Sequence, residues 1–191
     1  MNEKNNPLSL TRAFICLEMP EEVVKEIARV QELILKRKFV GKMTELENLH
    51  LTLKFLGEID EEKIGRVKEI LSKVDFSEFE SKLGEIGIFS YNRNPKIVWV
   101  KINGKVIWEI QKKIDEYLSD LFDKEERFMN HMTIARVKYV NDKDNFSSYV
   151  KNINVKSLSW NVTNFKLKKS ILSERGPIYE DIESFNLKKR I

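Results

Sequence analysis

The chain has 191 residues, of which 41% are hydrophobic and 34% charged, a balance typical of a charge-rich globular protein and not of a disordered one. Its net charge of +4 permits a polyanionic partner without demanding one. The single cysteine, Cys16, excludes an internal disulfide. The polar start and the lack of any run of 18 apolar residues predict a cytoplasmic protein with no membrane contact.

The first half of the chain predicts strands that alternate with amphipathic helices, whose apolar residues recur three and four positions apart. The predicted elements are a strand over 12–17, a helix from Pro20 to about Arg37, a loop over 39–48, a strand over 50–56, a helix capped by Asp60 and a strand over 79–89.

From residue 96 the same order begins again, as a strand over 97–102, a helix over 104–122, a strand over 130–137, a short helix over about 145–151 and a strand over about 158–170. A turn at Arg175-Gly176-Pro177 and a last strand over 178–187 have no counterpart in the first half. We therefore predict one domain over 1–191, built from two copies of a strand-helix-strand-helix-strand unit at about 11–90 and 96–172, with an extension over 173–191.

The most informative feature is a short motif that occurs twice, His50-x-Thr52 and His131-x-Thr133. These are the only two histidines, and the chain has five threonines, so a given histidine finds one at this offset by chance about one time in 40. In a strand, positions i and i+2 share a face. The alternation then places Leu49, Leu51, Leu53 and Phe55 on the opposite, core-facing side.

A duplicated unit tends to give two similar lobes that face each other across a groove, with one histidine and one threonine on each wall. Two imidazoles can serve there as acid and base for displacement at phosphorus, with threonine hydroxyls donating to the phosphate oxygens. Three other interpretations compete with this one. The histidines could be structural, the groove could bind RNA ends without turnover, or the site could belong to a metallohydrolase, which usually has three protein ligands.

The motifs extend into longer matches, and the chain resembles the 2H phosphoesterase superfamily and, within it, the RNA 2',3'-cyclic phosphodiesterases, also called 2'-5' RNA ligase-like proteins. The matching residues are Arg12–Ile15, Met19-Pro20, Glu47–Gly57, Asn94-Pro95, Val98-Trp99, His131–Arg136 and Ser170–Tyr179.

The resemblance implies an α+β fold with mainly antiparallel sheets flanking a central groove, and opening of an RNA 2',3'-cyclic phosphate to a 2'-phosphate, reversible in some members as 2'-5' ligation. It implies that His50 is the proton donor and His131 the proton acceptor, that Thr52 and Thr133 bind phosphate, and that no metal or cofactor is needed. The expected partner is an RNA with a cyclic phosphate end, bound by a monomer.

Arg136 lies where the family often has a basic residue near the phosphate, yet an offset of five from His131 points it to the opposite face of a regular strand. Either the strand ends or bulges before Arg136, or this residue is structural. Lys166 and Lys168 share one strand face, and we expect them to favour longer RNA over mononucleotides.

Overall fold

The computed structural model describes residues 10–174 and 176–189, and this part of the chain forms four α-helices and nine strands. The helices are α1 (Glu21–Leu35), α2 (Glu61–Leu71), α3 (Lys105–Tyr117) and α4 (Lys143–Lys151). The strands are β1 (Thr11–Glu18), β2 (Val40–Met43), β3 (His50–Ile59), β4 (Phe79–Tyr91), β5 (Asn94–Asn103), β6 (His131–Tyr139), β7 (Ser159–Val162), β8 (Asn164–Ser173) and β9 (Gly176–Asn186). Of the predicted turn at 175–177, Arg175 lies outside the described residues.

The strands form two sheets, with the orders β3-β1-β8-β9 and β2-β6-β5-β4-β7. Neighbouring strands in both sheets are antiparallel. The predicted α+β class with mainly antiparallel sheets is therefore confirmed.

Each sheet contains strands from both predicted copies of the repeat. The third strand of the first copy, β4, pairs with β5 of the second copy, and the third strand of the second copy, β8, pairs with β1 of the first. The limits at about 11–90 and 96–172 therefore do not coincide with the two sheets. This exchange ties the halves together through backbone hydrogen bonds.

The helices match their sequence patterns, since Val23, Ile27, Val30 and Ile34 of α1 are fully buried. Pro20 precedes α1 directly, and the Asp60 side chain caps α2 by accepting a hydrogen bond of 2.7 Å from the Lys63 amide. No helix in residues 10–174 and 176–189 has both the length and the apolar character needed to cross a membrane.

Two parts of the predicted layout are wrong. The loop over 39–48 contains the edge strand β2 and a short 3₁₀ helix, Leu46–Asn48. β2 escaped prediction because its four residues bury no complete face. The single strand over 158–170 is two strands, because the chain leaves the second sheet after β7 and enters the first sheet at β8.

Candidate active site

The His-x-Thr motif of the first copy begins β3, and that of the second copy begins β6. In both strands the histidine and the threonine are half-buried, whereas the residue between them, Leu51 or Met132, is fully buried. Each histidine therefore shares a face with its threonine, and the apolar residues between them point into the core.

Both imidazoles are oriented in the same way by the main chain. Nδ1 of His50 lies 2.7 Å from the carbonyl oxygen of Asn48, and Nδ1 of His131 lies 3.0 Å from that of Met129. A carbonyl oxygen only accepts hydrogen bonds, so each Nδ1 carries the proton of the neutral ring. Nε2 is then the nitrogen that each ring offers for proton exchange.

Aromatic side chains fix the two rings further. The His50 ring centroid lies 4.9 Å from that of Phe14 and 5.2 Å from that of Tyr179. The His131 centroid lies 5.1 Å from that of Phe89 and 6.5 Å from that of Trp99. Each histidine thus sits against a pair of aromatic rings contributed by other strands of its own sheet.

The enclosure of the His50 ring favours its neutral form. Burial lowers the pKa of His50 from 6.5 to about 4, and the positive charges of Lys168 and Arg136 reinforce this shift. The hydrogen bond to the Asn48 carbonyl and the Glu18 carboxylate oppose it. In the unliganded protein at neutral pH, His50 is therefore uncharged.

The position of Arg136 is settled by a bulge in β6. Along the β5–β6 pairing, Val98 faces Ala135 and Trp99 faces Thr133, so Ile134 is an extra residue. Ile134 and Ala135 are both buried, and the alternation resumes one residue late, with Arg136 exposed. The bulge therefore returns Arg136 to the face that carries the histidine.

β3 contains the same irregularity at the same offset. Ile15 faces Lys54 and Cys16 faces Thr52, so Leu53 is the extra residue. The prediction that Phe55 lies on the core face is wrong for this reason. Its side chain is on the histidine face and is 66% exposed.

The two motif strands lie against each other where the sheets meet. The charge of Arg136 on β6 acts on His50 of β3 and on Tyr179 of β9, so residues from the two sheets share one electrostatic environment. We call the following six side chains the motif face: His50, Thr52, Phe55, His131, Thr133 and Arg136.

The sequence profile of the LigT-like phosphoesterases matches residues 17–99 and 103–179. The chain belongs to the LigT-like phosphoesterase family. A curated protein of Methanocaldococcus jannaschii, named RNA 2',3'-cyclic phosphodiesterase, is 38% identical over 177 residues, which span 91% of this chain and 99% of that protein. The predicted family is thereby confirmed.

Solved crystal structures share the fold. A crystal structure of a Thermus thermophilus protein aligns with a TM-score of 0.79 and 24% identity, covering 94% of this chain and 100% of that one. The crystal structure of Escherichia coli LigT complexed with 3'-AMP aligns with a TM-score of 0.69 and 20% identity, covering 93% of this chain and 98% of that one.

In this LigT-like phosphoesterase, Lys166 and Lys168 are both paired with carboxylates. The Lys166 ammonium lies 2.7 Å from Glu18 and 2.6 Å from Asp181, and Lys168 pairs with the same two carboxylates, at 2.8 Å from Asp181. Lys168 is also buried. The two carboxylates balance the two ammonium charges, so this strand face carries less positive charge than the sequence alone indicates.

Two residues of the site were not singled out from the sequence. Tyr179 and Phe14 contact the His50 ring, and their ring centroids lie 4.9 Å apart. Phe14 lies in the strand next to the motif strand, but Tyr179 comes from an extension that has no copy in the repeat. Only the exchange of β8 and the hairpin to β9 bring Tyr179 to the site.

Proposed function

We propose that this protein hydrolyses RNA ends that carry a 2',3'-cyclic phosphate to 2'-phosphate ends, by acid-base catalysis with His50 and His131 and without a metal. One observation carries the proposal. Each of the two histidines shares a strand face with a threonine and has Nδ1 bound to a main-chain carbonyl, so each presents Nε2 for proton transfer.

The reaction needs one base and one acid. Nε2 of His131 takes a proton from water as its oxygen bonds to phosphorus. The bond from phosphorus to the 3' oxygen breaks, and Nε2 of His50 gives that oxygen a proton, leaving a 2'-phosphate and a 3'-hydroxyl. The same steps with an RNA 5'-hydroxyl in the place of water join the two ends through a 2'-5' phosphodiester bond, which is the ligation that the family resemblance implies.

The assignment of His50 as the proton donor follows from the family resemblance, and it sets a condition on the charge of the His50 ring. The donor must be protonated, whereas burial holds the pKa of His50 at about 4 in the unliganded protein. A phosphate anion beside the ring favours the charged form, so we infer that His50 gains its proton when substrate binds.

The remaining members of the motif face have roles that fit their chemistry. The hydroxyls of Thr52 and Thr133 donate to non-bridging phosphate oxygens, and the Arg136 guanidinium balances the charge that develops there. Phe55 offers an exposed ring on which a nucleobase can stack.

RNA is the proposed substrate class because the Methanocaldococcus jannaschii relative is named for it. The 3'-AMP complex of Escherichia coli LigT places a nucleotide in the same fold. We further propose a monomer in the cytoplasm, since both motif strands come from one chain and no partner is needed to complete the motif face.

The decisive experiment is incubation with a short RNA that ends in a 2',3'-cyclic phosphate, followed by identification of the product isomer. We expect a 2'-phosphate, formed at the same rate with and without a chelator. Among the described residues no cluster of three or more His, Cys, Asp or Glu side chains is placed to hold a metal. Tight binding without turnover would instead identify an RNA-end binding protein, and loss of activity on chelation would identify a metal enzyme.

A further inference from the structure

Gln31 is a buried polar residue of α1 that makes its hydrogen bonds to main-chain groups outside its own helix. It is 7% exposed. Its side-chain amide donates to the carbonyl oxygen of Thr44 at 2.8 Å and to that of Ile134 at 2.9 Å. Both hydrogens of the amide are therefore used on main-chain acceptors.

The second acceptor belongs to the bulge residue of β6. The carbonyl oxygen of Ile134 also accepts from the Thr44 amide at 3.0 Å. Thr44 directly follows Met43, which faces Ala135 in the β2–β6 pairing, so this carbonyl oxygen points toward β2. Gln31 therefore adds a second donor to the main chain of the bulge residue itself.

The bulge decides which way Arg136 points. Side chains alternate with a period of two, so pairing the same sequence as a regular strand, without the bulge, would turn Arg136 to the core side while leaving His131 and Thr133 in place. Contacts that stabilise the bulge therefore also keep Arg136 on the motif face.

The bulge in β3 is tied down in a comparable way. Lys54, which follows the extra residue Leu53, is 3% exposed and forms an ion pair with Asp115 of α3. Its ammonium also donates to the carbonyl oxygen of Asp123 at 2.7 Å. In both strands, then, a buried polar side chain from a helix of the other copy bonds the extra residue or the residue next to it.

We propose that Gln31 is a positioning residue that keeps the β6 bulge in place and so aims Arg136 at the phosphate. This inference rests on the proposed function, in which Arg136 binds that group. Gln31 touches none of the reacting atoms; it acts through the main chain of Ile134. A residue of purely structural importance would affect turnover equally whether or not Arg136 were present.

The test is a double-mutant cycle of Gln31→Met and Arg136→Ala, followed through kcat and KM on an RNA with a 2',3'-cyclic phosphate end. Methionine keeps the volume of glutamine and removes both donors. We expect Gln31→Met to lower kcat/KM about 10-fold, mainly through KM, because small misplacements of a binding group are costly. In the Arg136→Ala background the same change should cost less than about twofold. Equal losses in both backgrounds, or no loss in either, would overturn the proposal.

Glu26→Gln is the matched control, because Glu26 is a buried polar residue of the same helix whose side chain bonds Arg29 and the Lys156 amide instead of the bulge. It should lower stability without changing KM. If Gln31→Met does not fold, Gln31→Asn keeps the amide and shortens its reach by one methylene. The same cycle on this variant then decides the question.

Amide hydrogen exchange separates a failure of this inference from a failure of the proposed function. The Thr44 amide donates to Ile134, so its exchange should accelerate in Gln31→Met and stay unchanged in Glu26→Gln, whatever reaction the protein catalyses. Unchanged exchange at Thr44 in Gln31→Met would overturn the inference even in an active enzyme. If the wild-type protein is inactive but exchange at Thr44 is accelerated in Gln31→Met, only the proposed function is overturned. The double-mutant cycle would then be measured on the binding of a nucleoside 2'-phosphate.

Discussion

The two motif strands share a backbone and differ in what it presents. β3 and β6 each begin with His-x-Thr and bulge at the third residue after the histidine, which is Leu53 in one and Ile134 in the other. The fifth residue after the histidine is then Phe55 in β3 and Arg136 in β6. A duplicated frame thus gives an asymmetric site, with an aromatic ring on one wall and a cation on the other.

The largest effect should come from removing either histidine. His50→Ala and His131→Ala should each slow turnover of a cyclic phosphate by about 10²- to 10⁴-fold, which is typical for general acid-base groups. A substrate with sulfur in place of the bridging 3' oxygen distinguishes the roles, since a thiolate leaves without being protonated. We expect this substrate to restore most of the activity of His50→Ala and none of that of His131→Ala. Restoration in His131→Ala instead would reverse the assignment.

The enclosure of the His50 ring should also appear in the pH dependence of stability. The folded protein holds His50 neutral down to a pKa of about 4, whereas the unfolded chain protonates it near 6.5. The group therefore contributes fully above pH 6.5, and its contribution is lost as the pH falls through 4, because the unfolded state takes up the proton first. The difference corresponds to about 3 kcal/mol.

Urea unfolding at about pH 7.5 and about pH 4 measures this contribution. Wild type should lose about 3 kcal/mol more than His50→Gln between the two values. The carboxylates titrate alike in both proteins, so the comparison isolates the imidazole. Equal losses of stability in wild type and in His50→Gln would mean that solvent already reaches the His50 ring in the folded protein.

On the β6 wall, Arg136→Ala should lower kcat/KM by about 10- to 100-fold, the range expected for a charge-assisted hydrogen bond to phosphate. Arg136→Lys keeps the charge without the planar fork and should recover part of the loss. Activity of Arg136→Ala at the wild-type level would show that this side chain, although on the motif face, does not reach the substrate.

On the β3 wall, Phe55→Ala should cost about fivefold, the lower end of the range for one base stacked on one aromatic ring. The loss should appear with a nucleoside 2',3'-cyclic phosphate and vanish with the ribose cyclic phosphate that lacks a base. A similar loss with both substrates would assign Phe55 to packing.

The α+β class and the shared faces of the two His-x-Thr motifs were predictable because each depends on local alternation or on the order of elements. Leu51 and Met132 are buried between half-buried neighbours, as a period of two requires. The faces of Phe55 and Arg136 were not predictable. A bulge shifts the alternation by one residue, and the side chains bonded at or beside the two bulges, Gln31 and Asp115, are remote in sequence.

The exchange of third strands was hidden for a related reason. Both β4 and β8 alternate apolar and polar residues, and this pattern does not specify the strand with which each of them pairs. Pairing is a tertiary property, which is why Tyr179 could not be placed beside His50 from the sequence.

The smallest effect should come from Lys166, whose charge contrasts with that of Arg136. Arg136 is exposed on the motif face, whereas Lys166 bonds two carboxylates, at 2.7 Å from Glu18 and 2.6 Å from Asp181. An ion pair of this kind presents little net charge to RNA, so Lys166→Met should change the ratio of kcat/KM for an RNA of about ten nucleotides over a mononucleotide by less than about twofold at any salt concentration. A larger change that weakens with salt would show that RNA draws the lysine away from Glu18 and Asp181, and the two carboxylates would then compete with the substrate for the same cation.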